Sequence, residues 1–214
     1  TFNKRMVETA RAAAAQAGRP VFVAGNVGPS GHFARPLGDM EPEELIKAFS
    51  EQIRGLVAGG ADLIFIETQF DLAEARAAVT AARQVCDLPV MVSMTFEQGV
   101  SLTGSSPTIF AETMQNMGVA ALGTNCSLGP DQMLPVVEEL LSVCSCPVVA
   151  EPNAGLPELR GSETVFPLGP EAFAQKTAAF AARGARVLGG CCGTTPQHLA
   201  ALRQALESVT CDER

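Results

Sequence analysis

Short, nearly unbroken apolar runs recur along the chain, and each is followed by a stretch whose apolar residues fall at helical spacing. The runs at 21–25 (VFVAG), 62–67 (DLIFIE), 90–95 (VMVSMT), 119–123 (VAALG), 147–150 (PVVA) and 185–189 (ARVLG) predict six strands. Runs of this kind suit parallel strands covered on both faces. The intervening pattern predicts helices at 4–17, 43–58, 71–85, 108–117, 134–143, 171–183 and 196–208. Boundary residues agree. Asp71 followed by Glu74 has capping-box spacing, and Thr195 before Pro196 puts a cap ahead of a proline at the first helical position. Gly60, Gly118 and Gly184 each close a helix just before a strand. The other three strands are entered through proline, in RPVFV, LPVMV and CPVVA.

Repeated strand–helix units predict a single α/β domain over 1–214, with a polar tail at 209–214. A doubly wound sheet and a (β/α)8 barrel both suit the pattern. The stretch AGNVGPSG does not match the glycine spacing of a dinucleotide-binding turn, which weakens the first option. Polar residues gather instead at the C-terminal ends of different strands: Asn26, Glu67, Thr95, Asn125 with Cys126, Glu151 with Asn153, and Cys191 with Cys192. Barrel enzymes build their sites there. The expectation is a TIM-type (β/α)8 barrel with six βα units visible and the first two strands lacking.

Charge and composition narrow the partners. A net charge of −8 gives no basic surface for a nucleic-acid backbone. No apolar run is long enough to span a membrane, and the opening TFNKRMVETARAAAA lacks a signal-peptide layout. The expected location is cytoplasmic. Seven cysteines in a chain of this size are expected to be free thiols, serving as core residues, metal ligands or nucleophiles. Only two histidines leave little for a histidine-centred site.

Cys191 and Cys192 are adjacent and framed by glycines, a spacing too strained for an ordinary disulfide. A sharp turn would let both thiolates reach one metal. Cys126, in GTNCSLGP, also follows a strand. If those strand ends converge, three thiolates around zinc would leave a fourth position open. The bland alternative is three buried small hydrophobes. Cys144 and Cys146 fall at the opposite rim and read as packing, while Cys86 and Cys211 carry no signal. Glu67 ends an apolar strand, where a carboxylate needs a compensating partner, and a structural salt bridge suits it as well as a ligand. Asn125 and Asn153 read as turn residues or ligand contacts. His198 is expected at the surface, and His32, in the loop after GPSG, is a candidate for lining a pocket.

Five stretches, AGNVGPSG at 24–31, ADLIFIET at 61–68, GTNCSLGP at 123–130, PNAGLP at 152–157 and GGCCGTTPQH at 189–198, carry a resemblance that covers nearly the whole chain. The sequence resembles the zinc-dependent homocysteine S-methyltransferase family, in particular the homocysteine-binding domains of cobalamin-dependent methionine synthases. The resemblance implies that Cys126, Cys191 and Cys192 are the zinc thiolates and that Glu67 holds the homocysteine amino group. Asn26, Asn125 and Asn153 are expected beside it as substrate contacts. It implies methyl transfer to the homocysteine thiolate, giving methionine. Methylcobalamin, supplied by another domain or partner protein, is the favoured donor, with S-methylmethionine or betaine-type donors still open. Family members begin with a strand bearing a DGAMGT-like turn, then a helix and a second strand ending in TNTF. Thr1–Phe2 resembles the tail of that second strand, which accounts for the count of six. Two other readings stand: a non-catalytic zinc-binding barrel fragment acting as an assembly or binding module, and an aldolase-like or phosphate-binding barrel with inert cysteines. A strand-end lysine would favour the aldolase, and none of the six strands has one.

Overall fold

The computed structural model describes residues 1–209. Helix α1 (Phe2–Ala14) leads into six parallel strands in sequence order: β1 (Ala24–Val27), β2 (Leu63–Gln69), β3 (Val90–Met94), β4 (Ala121–Asn125), β5 (Val148–Glu151) and β8 (Val187–Leu188). The connecting helices are α2 (Pro42–Ala58), α3 (Leu72–Val85), α4 (Pro107–Asn116), α5 (Pro130–Val143) and α6 (Pro170–Arg183), and α7 (Pro196–Leu206) follows β8. The sheet curls into a half-barrel whose edge strands, β1 and β8, do not pair with each other.

Side chains alternate across each strand, so one face packs on helices and the other lines the concave side. Ile64 and Ile66 on β2 and Val90 and Val92 on β3 join Leu45, Phe49 and Ile53 of α2 and Val79 of α3 in the main core. Leu63, Phe65, Met91, Ala121, Val149 and Val187 make a smaller cluster on the concave face. Gly123 on β4 holds that curl. A Cβ there would sit 1.9 Å from the Val149 carbonyl oxygen, so no other residue fits the β4–β5 approach.

The predicted alternation of strands and helices is present, with local differences that have physical causes. Strand β1 starts at Ala24 rather than 21, because Phe22 is exposed and the Val23 N–H donates to Asp62 Oδ2 (2.7 Å) instead of to a ladder. Strands β2 and β4 run past their predicted ends, to Gln69 and Asn125. Strand β8 is shorter than predicted, and α5 begins at Pro130 rather than 134. An exposed hairpin, β6 (Glu158–Arg160) with β7 (Glu163–Val165), was not anticipated; its sequence, ELRGSETV, buries no apolar face. Phe2, expected at a strand tail, opens α1.

Two caps differ from expectation. Asp71 accepts from the Glu74 N–H (2.9 Å), but the Glu74 carboxylate turns away to the Ser30 N–H (2.6 Å) and ties down the loop after β1. His198 is not a surface residue. It is 6% exposed, its Nδ1 completes a capping box with Thr195, its Nε2 meets the Leu168 carbonyl at 2.9 Å, and its ring lies edge-on to Phe173. Of the predicted polar tail, Val209 packs against the α6–α7 cluster, and residues 210–214, with Cys211, lie outside the described residues. Among the described residues, no helix is long and apolar enough to cross a membrane.

Candidate functional site

The concave face changes character toward the C-terminal ends of the strands. Two residues beyond Phe65, Val149 and Val187 come Glu67, Glu151 and Gly189, so alternation stacks a polar layer directly on the apolar one. Asn26 and Asn125 complete it. Glu67 Oε1 accepts from Asn26 Nδ2 at 2.5 Å and Oε2 from Asn125 Nδ2 at 3.5 Å. The carboxylate is thus held by neutral amides; none of the salt bridges among the described residues includes it.

Asn125 is fully buried and organises this layer. Its Oδ1 accepts from the Thr68 N–H (2.9 Å) and from Ser93 Oγ (2.7 Å), and its Nδ2 donates to Thr68 Oγ1 (2.7 Å). The exchange pins Thr68 at a φ of 58°, where the β2–β3 register shifts. A β-branched residue in the left-handed region is strained by roughly 1–3 kcal/mol, and such strain collects at functional sites. Thr68 was not singled out from sequence. Its only signal is a polar residue closing the apolar run ADLIFIET.

The three cysteines meet just above. Cys126 follows β4 directly, and both it and Ser127 have positive φ (60° and 58°). The segment 152–154 straps the two cysteine turns together. The Cys191 N–H donates to the Pro152 carbonyl (2.9 Å), the Cys192 N–H to Asn153 Oδ1 (3.0 Å), and the Ala154 N–H to the Cys192 carbonyl (2.9 Å). On the other side, the Asn153 N–H donates to Leu128 O (2.9 Å) and the Cys126 N–H to Glu151 O (3.1 Å). Gly193, at φ 78°, ends the turn against Phe166, whose ring a Cβ would overlap.

The result is three Sγ atoms within 4.8 Å of one another, with Cys126 and Cys192 at 3.6 Å. Tetrahedral zinc with ~2.3 Å bonds to sulfur needs sulfurs about 3.8 Å apart, so the donor set fits that metal. Cys126 and Cys191 are partly buried and Cys192 is exposed, which leaves one side of the cluster open. The metal-free thiols also behave as a unit. Hydrogen bonding from Cys191, aided by the Ser127 N–H, Cys192 and Asn153, pulls Cys126 down to about 6. Its hydrogen bond and charge push Cys191 up, and burial together with Cys126 raises Cys192. Binding a metal would release the remaining protons.

Two features adjoin the cluster. Glu151 ends β5 opposite Asn125, and burial plus the neighbouring Glu67 carboxylate push it up to about 7. A cavity of about 420 Å³ lined by Thr68, Phe70, Thr95, Leu102 and Cys126 opens beside Cys126. The remaining described cysteines are elsewhere. Cys144 and Cys146 lie together at the opposite rim; burial pushes Cys144 up to about 12 and Cys146 upward as well. Cys86 caps α3, with its Sγ on the Ala82 carbonyl. His32 sits in the β1–α2 loop with its N–H on Ser30 Oγ (3.2 Å). All three predicted thiolates are therefore brought together, Glu67 shares one polar layer with Asn26 and Asn125, and Asn153 holds the Cys192 turn.

The model of the homocysteine S-methyltransferase family matches residues 1–206, which include every residue of this site. The chain belongs to that family. Among curated members it is 35% identical over 203 residues to the methionine synthase of Mycobacterium tuberculosis, covering 92% of this chain and 17% of the relative. It is 36% identical over 185 residues to the methionine synthase of Mycobacterium leprae, covering 83% and 15%. The chain thus spans less than a fifth of the curated relatives it matches. The fold also matches a solved member of the family, the homocysteine methyltransferase MmuM of Escherichia coli. Its apo form superposes with a TM-score of 0.75 at 24% identity, over 95% of this chain and 74% of that one. The metallated form gives 0.73 at 26% identity, over 94% and 69%. The half-barrel is therefore built like the TIM barrel of the homocysteine methyltransferases.

Proposed function

We propose that this chain binds homocysteine through its thiol at a zinc held by Cys126, Cys191 and Cys192, and presents it for methylation to methionine. The observation that carries the reading is the convergence of three thiols from two separate strand ends, with one side open, above a carboxylate that has no cationic partner among the described residues. Bound zinc would keep the substrate sulfur as thiolate at neutral pH, where a free alkyl thiol is mostly protonated.

The protein's own groups supply the rest. Glu67, oriented by Asn26 and Asn125, receives the ammonium end. Asn153 fixes the turn that aims Cys192, and the strained Cys126–Ser127 backbone aims the third sulfur from the end of β4, two strands along the sheet from β8. Cys192 is exposed, so the methyl donor approaches from solvent. By family resemblance the donor is methylcobalamin, brought by another domain or protein. A cytoplasmic, reducing compartment would keep the cysteines available.

Metal analysis of the purified protein tests the reading. About one zinc per chain is expected. Cys126→Ser, Cys191→Ser and Cys192→Ser should each abolish tight binding, whereas Cys144→Ser and Cys146→Ser should leave it intact. Loss of zinc in the last two, with retention in the first three, would contradict the assignment. Zinc without homocysteine binding would favour the non-catalytic module instead.

A further inference from the structure

Glu151 stands in the concave polar layer without an assigned task. Val149, two residues earlier, packs with Phe65 and Ala121 on the concave face, so strand alternation turns the Glu151 side chain to the face that Glu67 occupies. Its β4 neighbour in the ladder is Asn125, the residue that holds Glu67 and Thr68. The space it fills is reserved for it. A Cβ on Gly189, at the end of β8, would lie 2.8 Å from Glu151 Oε1 and 3.1 Å from its Cγ, so any side chain at 189 would displace the carboxylate.

A partly buried carboxylate normally has a donor. Among the described residues none of the hydrogen bonds or salt bridges engages the Glu151 side chain. Arg203 lines the same cavity, of about 350 Å³, with Glu151, Leu188 and Leu199, but forms no ion pair with it. Glu67 has neutral amide donors. Strand alternation puts both carboxylates on the concave face, and among the described residues neither forms an ion pair, so a cation carried in by the substrate would serve both.

We infer that Glu151 is a second carboxylate for the substrate ammonium, facing it together with Glu67, and that it makes the site select a thiol bearing an amino group. The inference rests on the reading that the thiol bound is homocysteine. An ammonium offers three N–H donors, more than one carboxylate uses, and it offsets two negative charges that otherwise oppose each other. The same arrangement rejects a thiol without the amine, because both carboxylates would be covered without a partner. Glu151 is thus a specificity residue: it acts on which thiol binds, while the cysteines act on the sulfur.

The test uses the zinc-loaded protein and two thiols, homocysteine and 4-mercaptobutanoic acid, which is homocysteine without its amino group. Calorimetric affinities are compared for the unchanged protein, Glu151→Gln and Gly189→Ala, with zinc content measured in each. Glu151→Gln should weaken homocysteine roughly tenfold or more, as expected for loss of a charge-assisted bond, and leave the deamino thiol unchanged or tighter. Gly189→Ala, which keeps the charge but moves it, should shift the two affinities in the same sense. Equal loss for both thiols would make Glu151 structural, and no loss for homocysteine would remove it from the site; either overturns the inference. If the unchanged protein binds the two thiols equally, the ammonium pocket as a whole is wrong, Glu67 included. If it binds neither, the homocysteine reading fails, and with it the role given to Glu151.

Discussion

Replacing Asn125 with alanine should damage the site more than any other single change outside the cysteines. Asn125 has no exposed surface and makes three bonds of 2.9 Å or less, with the Thr68 N–H, Ser93 Oγ and Thr68 Oγ1. Each contributes a net ~1 kcal/mol, and leaving the Thr68 N–H without an acceptor adds a desolvation cost of about 1–3 kcal/mol. Destabilisation of roughly 4–6 kcal/mol follows. With a urea slope of about 2–3 kcal/mol/M, the unfolding midpoint should fall by about 1–3 M. The chain has no Trp or Tyr, so far-UV circular dichroism is the suitable probe. Asn26→Ala is the control. Asn26 is exposed and reaches the layer through one bond to Glu67, so its loss should cost no more than about 1 kcal/mol. If the two variants shift the midpoint equally, Asn125 does not organise this layer and the account of Thr68 is wrong.

Other outcomes follow from the same geometry. In metal-free protein at neutral pH, iodoacetamide should modify Cys126 well before Cys144, since one thiol is held near 6 and the other is pushed to about 12; peptide mapping showing Cys144 labelled as fast as Cys126 would refute the contrast. His198→Ala removes the Thr195 capping partner and the bond to Leu168 O, and should cost about 2–3 kcal/mol in urea unfolding, whereas a surface histidine would cost almost nothing. The Val23 N–H and the Arg11 guanidinium hold Asp62 below its ordinary value of 3.8. The folded state therefore takes up this proton less readily than the unfolded one, so the stability it contributes is present above pH 3.8 and lost as pH falls through the depressed value. Asp62→Asn should flatten the acid limb of stability against pH, and an unchanged limb would show that Asp62 does not tie α1 to β1.

The strand and helix order was legible because each strand is an apolar run bounded by proline or glycine, and parallel strands need that pattern. Ends were less so. At β1 the apolar letters start early, but Phe22 points to solvent and Val23 bonds to Asp62, which no local pattern announces. The β6–β7 hairpin has no buried face to leave a periodic trace. Cys191 and Cys192 were conspicuous for their glycines, yet their meeting with Cys126 depends on how the sheet curls, and family resemblance supplied what spacing could not. Thr68 was missed because its left-handed backbone is imposed by Asn125, 57 residues away. His198 looked like a surface residue because a histidine at the third helical position rarely signals a cap, and its burial comes from Leu168 and Phe173, residues remote in sequence.

The central claim is that three protein thiolates hold a zinc whose remaining position takes the substrate sulfur. X-ray absorption at the zinc edge, before and after addition of homocysteine, tests it most directly by counting sulfur neighbours. The account predicts three sulfurs in the zinc-loaded protein and four with homocysteine, with close to one proton released per site. Three sulfurs both before and after, under conditions where homocysteine is bound, would contradict it.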